Sequence, residues 1–171
     1  IRMRGYLIPK ESSDYVFYLS GDDNAQLWLS SDSNTANKLL IAEEPLWSGT
    51  RDYTGQNNRT VVDAGTENER MINVSNPISL LAGKKYYVEG VYYESGSGSQ
   101  SNWAITSLTK NDGYPMKPNT DRDEGAWGID WRGGAGTPAI FYKNGGQTYS
   151  GSRPSNGQVI GMAIDLVNGK I

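Results

Sequence analysis

The stretch Asp14-Tyr-Val-Phe-Tyr-Leu-Ser-Gly-Asp-Asp-Asn-Ala-Gln-Leu-Trp-Leu29 decides the fold. Its first half alternates so that Tyr15, Phe17 and Leu19 share one face, the period-2 mark of a strand with one side buried. Gly21-Asp22-Asp23-Asn24 is turn chemistry, because Asp and Asn side chains bond the local backbone and Gly bends freely. Alternation resumes at Ala25 to Ser30, with Leu27 and Leu29 opposite Trp28. Two strands flank an acidic turn, and the rest of the chain extends the same pattern.

Further strands are expected at Arg2 to Ile8, closed by Pro9, at Leu39 to Ile41, at Lys84 to Glu94 and at Trp103 to Thr106. Ser95 to Asn102 reads as a Gly-Ser loop. Asn76 to Gly83 has room for one helical turn and is too short for a stable helix. Trp47 to Glu69 is polar and poorly patterned. Composition changes near Lys110, which sets a boundary between residues 1–110 and a second segment, 111–171, small for an independent core. Strands return there at Pro138 to Tyr142 and Gln158 to Leu166. The expectation is an all-β chain: an antiparallel β-sandwich followed by a partial second β module. A start at Ile1 and an end at Ile171 suggest a piece of something longer.

The 171 residues include 21 Gly, 11 Tyr and 5 Trp, as suits a turn-rich β protein. Cys and His are both absent. That removes disulfides, thiolate and Ser-His-Asp catalysis, and Cys/His metal sites. Carboxylates and backbone oxygens are left as ligands, which suits a hard cation such as Ca²⁺ or Mg²⁺. A net charge of −3 argues against nucleic acid as a partner. No apolar run reaches the ~18–20 residues of a membrane span.

The segment 1–110 resembles the PA14 domain, a β-sandwich of bacterial toxins, glycosidases, flocculins and adhesins. Four pieces carry the resemblance in the family's order: Arg4-Gly-Tyr-Leu-Ile-Pro9, the Asp14 to Leu29 stretch, Pro77-Ile-Ser-Leu-Leu-Ala-Gly-Lys-Lys-Tyr-Tyr-Val-Glu89, and Glu94 to Trp103. The opening piece lacks the family's Trp, and a first strand that normally precedes it is missing. Residues 138–171 resemble the SPRY (B30.2-like) sandwich through Phe141-Tyr-Lys-Asn-Gly145 and Gly157 to Ile171.

In calcium-dependent lectins of the PA14 family the two turn acids are joined by a cis peptide and grip one Ca²⁺, whose open positions take vicinal sugar hydroxyls. The resemblance therefore implies Asp22 and Asp23 as metal ligands, with Asn102, Gln100 and Gly98 completing the site. Sugar contacts would come from Asp22, Asp23, Gln100, Ser101 and Trp103. Many sugar-binding members have an Asp where this chain has Ser101, and its loss lowers the charge available to hold Ca²⁺. The alternative is that Asp22-Asp23-Asn24 is a plain turn and that Trp28 and Trp103 pack in the sandwich.

Three other signals are weaker. Asn119 to Gly125 alternates oxygen ligands without EF-hand spacing, so a solvated loop is expected. Asn58-Arg-Thr60 and Asn73-Val-Ser75 fit the glycosylation pattern. A glycosidase would need paired carboxylates, and nothing in the sequence pairs Glu89 with Asp165. The expected function is a non-catalytic extracellular module, on a cell or virion surface, that recognises glycans through Ca²⁺. The alternative is a structural component of a larger assembly, such as a phage tail, a capsid decoration or an adhesin spacer, contacting neighbouring domains or subunits.

Overall fold

The computed structural model describes residues 2–49, 52–53, 60–62, 65, 67, 69–93, 100–107, 127–130, 139–143, 146–151 and 159–165. The protein is all-β. Its strands are β1 (Arg2–Ile8), β2 (Ser13–Asp22), β3 (Ala25–Ser30), β4 (Lys38–Glu44), β5 (Thr60–Val62), β6 (Glu69–Met71), β7 (Ile78–Leu80), β8 (Tyr86–Tyr92), β9 (Gln100–Ser107), β10 (Trp127–Asp130), β11 (Ala139–Lys143), β12 (Gly146–Gly151) and β13 (Val159–Asp165). One short 3-10 turn, Thr35–Asn37, precedes β4, and the Asn34 side chain caps it by accepting from the Ala36 N–H.

Two sheets make the sandwich. One has the order β13-β1-β8-β3-β4, the other β7-β2-β9. Alternation sends Met3 and Leu7 of β1, Leu27 and Leu29 of β3, and Tyr86 and Val88 of β8 into the space between them. Tyr15, Phe17 and Leu19 of β2 meet them there with Trp103 and Ile105 of β9. The other face of β2 is also covered: Val16 and Tyr18 pack with Tyr53 and Val74. This second covering explains why β2 is buried on both sides through most of its length.

Trp103 ties the sheets together. A Cβ added at Gly90 of β8 would come within 1.4 Å of the indole Cζ2, so the ring lies directly on the β8 backbone. Only a residue without a side chain leaves that space.

Several expectations shift. Residues 76–83 hold the strand β7 rather than a helical turn, because Ile78 to Leu80 pair with Ser13 to Tyr15 of β2. The polar region Trp47 to Glu69 contributes β5, which pairs antiparallel with β6 at its end. β13 runs parallel to β1 as the edge of the first sheet, from Arg2 opposite Val159 to Ile8 opposite Asp165. A strand from the segment 111–171 therefore belongs to the same sheet as the strands before residue 110. Three other described strands of that segment, β10, β11 and β12, pair antiparallel with one another. The loop 119–125 lies outside the described residues.

Candidate functional site

Asp22 ends β2, Asp23 and Asn24 make the turn, and Ala25 begins β3. Gly21 is required at the entry: a Cβ there would sit 2.7 Å from the Ala25 Cβ and 3.2 Å from the Asp23 carbonyl oxygen. The Asp22–Asp23 peptide bond is cis. Both acids are half-buried.

The turn is fastened from three directions. The Tyr92 hydroxyl at the end of β8 donates to the Asp22 carbonyl. The segment after β4 runs alongside: Ser48 N–H donates to the Gly21 carbonyl at 2.7 Å, Gly21 N–H donates to Ser48 Oγ at 3.1 Å, and Trp47 bridges to Asp22. The Asn24 side-chain amide donates to the Pro45 carbonyl, and its own backbone carbonyl accepts from Tyr93 N–H at 2.8 Å. These contacts fix the backbone of the turn without using the carboxylates.

The third side is β9, antiparallel to β2 with Asp22 opposite Gln100, Gly21 opposite Ser101 and Ser20 opposite Asn102. Two stretches far apart in the sequence thus meet at one place. Alternation sorts them. Positions 20 and 22 share a side of the ladder with positions 100 and 102, while Gly21, Ser101 and Trp103 belong to the inner side. Asp22 is therefore set opposite Gln100, with Asn102 two positions further along β9 opposite Ser20. Gly98 lies outside the described residues.

Two of the residues expected to touch sugar are buried. Ser101 is 1% exposed and Trp103 7% exposed, so both are wall rather than surface. The Ser101 hydroxyl is buried without a hydrogen-bond partner. Trp28 is half-buried on the opposite sheet. The exposed aromatics at the turn are others: Trp47 is 46% and Tyr93 62% exposed, with Leu46 beside Trp47. Trp47 lies in a region without strand periodicity and Tyr93 at the end of a strand, so neither carries a sequence signal. Their position follows only from the Trp47–Asp22 bridge and the Tyr93–Asn24 hydrogen bond.

Among the described residues no three acidic side chains gather into a metal-binding group. The donors at the turn are two carboxylates and the neutral oxygens of the β9 entry. In kind they fit a hard cation, which prefers oxygen ligands, and in charge they stop at two.

Other candidates fall elsewhere. Glu89 is 3% exposed and lies in β8 opposite Arg4, whereas Asp165 lies in β13 opposite Ile8, with β1 between them. Burial pushes the Glu89 carboxyl up, but hydrogen bonds from Lys38 and Tyr87 and the charges of Lys38 and Arg2 outweigh it and hold the group below its ordinary value. A general acid needs the opposite shift. Asn73 is buried, and its side-chain amide donates to the Leu19 carbonyl at 2.9 Å, which withdraws that glycosylation pattern from solvent. Asn58 lies outside the described residues. At the far end of β3 a groove of about 560 Å³ runs between β4 and β7, lined by Leu29, Leu39, Leu40, Ile78, Leu81 and Tyr86 among others.

The class defined so far is an all-β, sandwich-like module with a paired-acid turn at one end. No family model matches the chain, and no solved structure matches it. Two curated mouse proteins do. One is N-acetyl-beta-glucosaminyl-glycoprotein 4-beta-N-acetylgalactosaminyltransferase 1, 27% identical over 99 residues, which are 58% of this chain and 9% of that protein. The other is Fibrocystin-L, 32% identical over 88 residues, 52% of this chain and 2% of that protein. The chain thus matches less than a tenth of the length of either relative.

Proposed function

We propose that this protein is a non-catalytic recognition module of the extracellular surface, similar to the PA14 domain, that binds carbohydrate through Ca²⁺ held by Asp22 and Asp23. The observation that supports this reading is the β2–β9 register, which sets Asp22 opposite Gln100, with Asn102 two positions along the same strand opposite Ser20, from a distant part of the sequence. Bound there, Ca²⁺ would supply positive charge and open coordination positions for vicinal sugar hydroxyls. The protein's part is to hold the two carboxylates on a turn whose backbone is fixed by Tyr92, Ser48 and Asn24. Trp47 and Tyr93 offer apolar ring faces at its edges for the C–H side of a sugar. A glycosyltransferase among the relatives supports a carbohydrate setting, and its catalytic activity is not carried over to this chain.

A glycan array probed with and without EDTA tests the reading. Binding that disappears in EDTA and in Asp23→Asn is the expected result. Binding to uncharged glycans that is indifferent to EDTA overturns it, and so does the absence of binding to any uncharged glycan, which leaves a structural component of a larger assembly.

A further inference from the structure

The outer face of the five-stranded sheet has a chemistry that the acidic turn does not use. With Met3 and Leu7 inward, β1 turns Arg2, Arg4 and Tyr6 outward. By the same alternation β8 presents Tyr87 and Glu89, and β3 presents Trp28. The register lines up Arg4, Glu89 and Trp28 across three strands and sets Tyr6 opposite Tyr87. The Tyr6 and Tyr87 rings meet edge-on at 5.9 Å.

The face is basic although the chain carries −3. Arg2 and Lys38 pair with Glu89, Arg4 lies opposite it and Lys85 lies over Tyr6, against two carboxylates, Glu89 and Glu43 of β4, which is opposite Gln26. Glu89 is buried and already paired: Lys38 Nζ lies at 2.7 Å, the Tyr87 hydroxyl at 2.5 Å and Arg2 Nε at 3.6 Å. It offers no repulsion to an approaching anion. Arg4 and Lys85 are exposed, and neither forms an ion pair with a described residue.

We propose that this face binds a sulfated polysaccharide, with sulfate groups on Arg2, Arg4 and Lys85. Charge complementarity selects an anion. The layout selects a glycan over a nucleic acid: single-strand binders stack bases on free aromatic faces, and here Lys38 lies over Trp28 at 5.6 Å and Lys85 over Tyr6 at 5.0 Å. The cations are spread along two strands rather than converging on one pocket. Such a spread responds to charge density along a chain, which sulfate esters supply most densely. The proposal is independent of the calcium site.

The test is titration calorimetry of the full chain with a heparin oligosaccharide in EDTA. Binding is expected to weaken more than about tenfold between roughly 50 and 200 mM salt, as counterion release by about three cations requires. Arg4→Ser/Lys85→Ser should lose about tenfold. Both exposed positions lie outside the core, and Lys85→Gln alone, at the lip of β8, should still lose about threefold. Double-variant binding equal to the parent overturns the proposal. So does equally tight binding of desulfated heparin, or of single-stranded DNA of the same charge.

Discussion

Replacing Lys38 by Met tests how the outer face of the large sheet is held. Lys38 Nζ donates to Glu89 Oε1 at 2.7 Å, with the Lys38 side chain 30% exposed and Glu89 almost fully buried. Removing one partner of a buried pair costs about 3–5 kcal/mol. Water reaches the Lys38 end, and Tyr87 and Arg2 still serve the carboxylate, so the expected loss is about 2 kcal/mol at neutral pH. The sign of the pH dependence follows from the depressed Glu89 carboxyl. A depressed acid contributes stability that is present above its unfolded value, 4.5, and disappears as pH falls through the folded value. Lys38→Met has less of this to lose. Urea unfolding at pH 7 and near pH 2 should therefore show the gap between parent and variant closing in acid. A gap of the same size at both pH values would mean that Lys38 acts through packing on Trp28 and not through Glu89.

Gly90→Ala should destabilise by about 3 kcal/mol or more, because its methyl would meet the Trp103 indole at 1.4 Å; thermal unfolding reads this, and a neutral outcome would show that the ring moves freely. Burial, with the hydrogen bond to Glu89 and that group's charge, pushes the Tyr87 hydroxyl up from 10.0 to about 12. Its contribution is complete below pH 10 and declines as pH rises through the folded value, by up to about 3 kcal/mol. Tyr87→Phe should flatten that alkaline limb in a pH series of melting curves, and an unchanged limb counts against the assignment.

The fold was legible where one face of a strand is apolar and the other polar. Arg2 to Ile8 and the β2–turn–β3 unit follow from alternation alone, and Leu27 and Leu29 are buried with Trp28 turned outward as that pattern requires. Alternation fails where tertiary pairing decides. Ile78 to Leu80 are too short a run to show a period of their own, and β2 makes them a strand. The partner of β13 is equally invisible, since nothing local in Val159 to Asp165 names Arg2 to Ile8 at the opposite end of the chain. At the site, Asp22 and Asp23 stand out because adjacent acids between two good strands are conspicuous. Trp47 does not, because its place depends on a backbone bridge from an unpatterned loop. Trp103 is conspicuous and yet inward, since the face it occupies follows from the β9 register and from the absent side chain of Gly90.

The most direct measurement is the melting midpoint of the full chain in EDTA and in millimolar Ca²⁺, with Asp22→Asn/Asp23→Asn alongside. Calcium at about 100 times its dissociation constant stabilises the folded state by about 2.7 kcal/mol. For a chain of this size that raises the midpoint by roughly 5–10 °C. The expected result is such a rise in the parent and none in the double variant. Superimposable curves for the parent with and without Ca²⁺ would contradict the account and leave the paired acids as a turn alone.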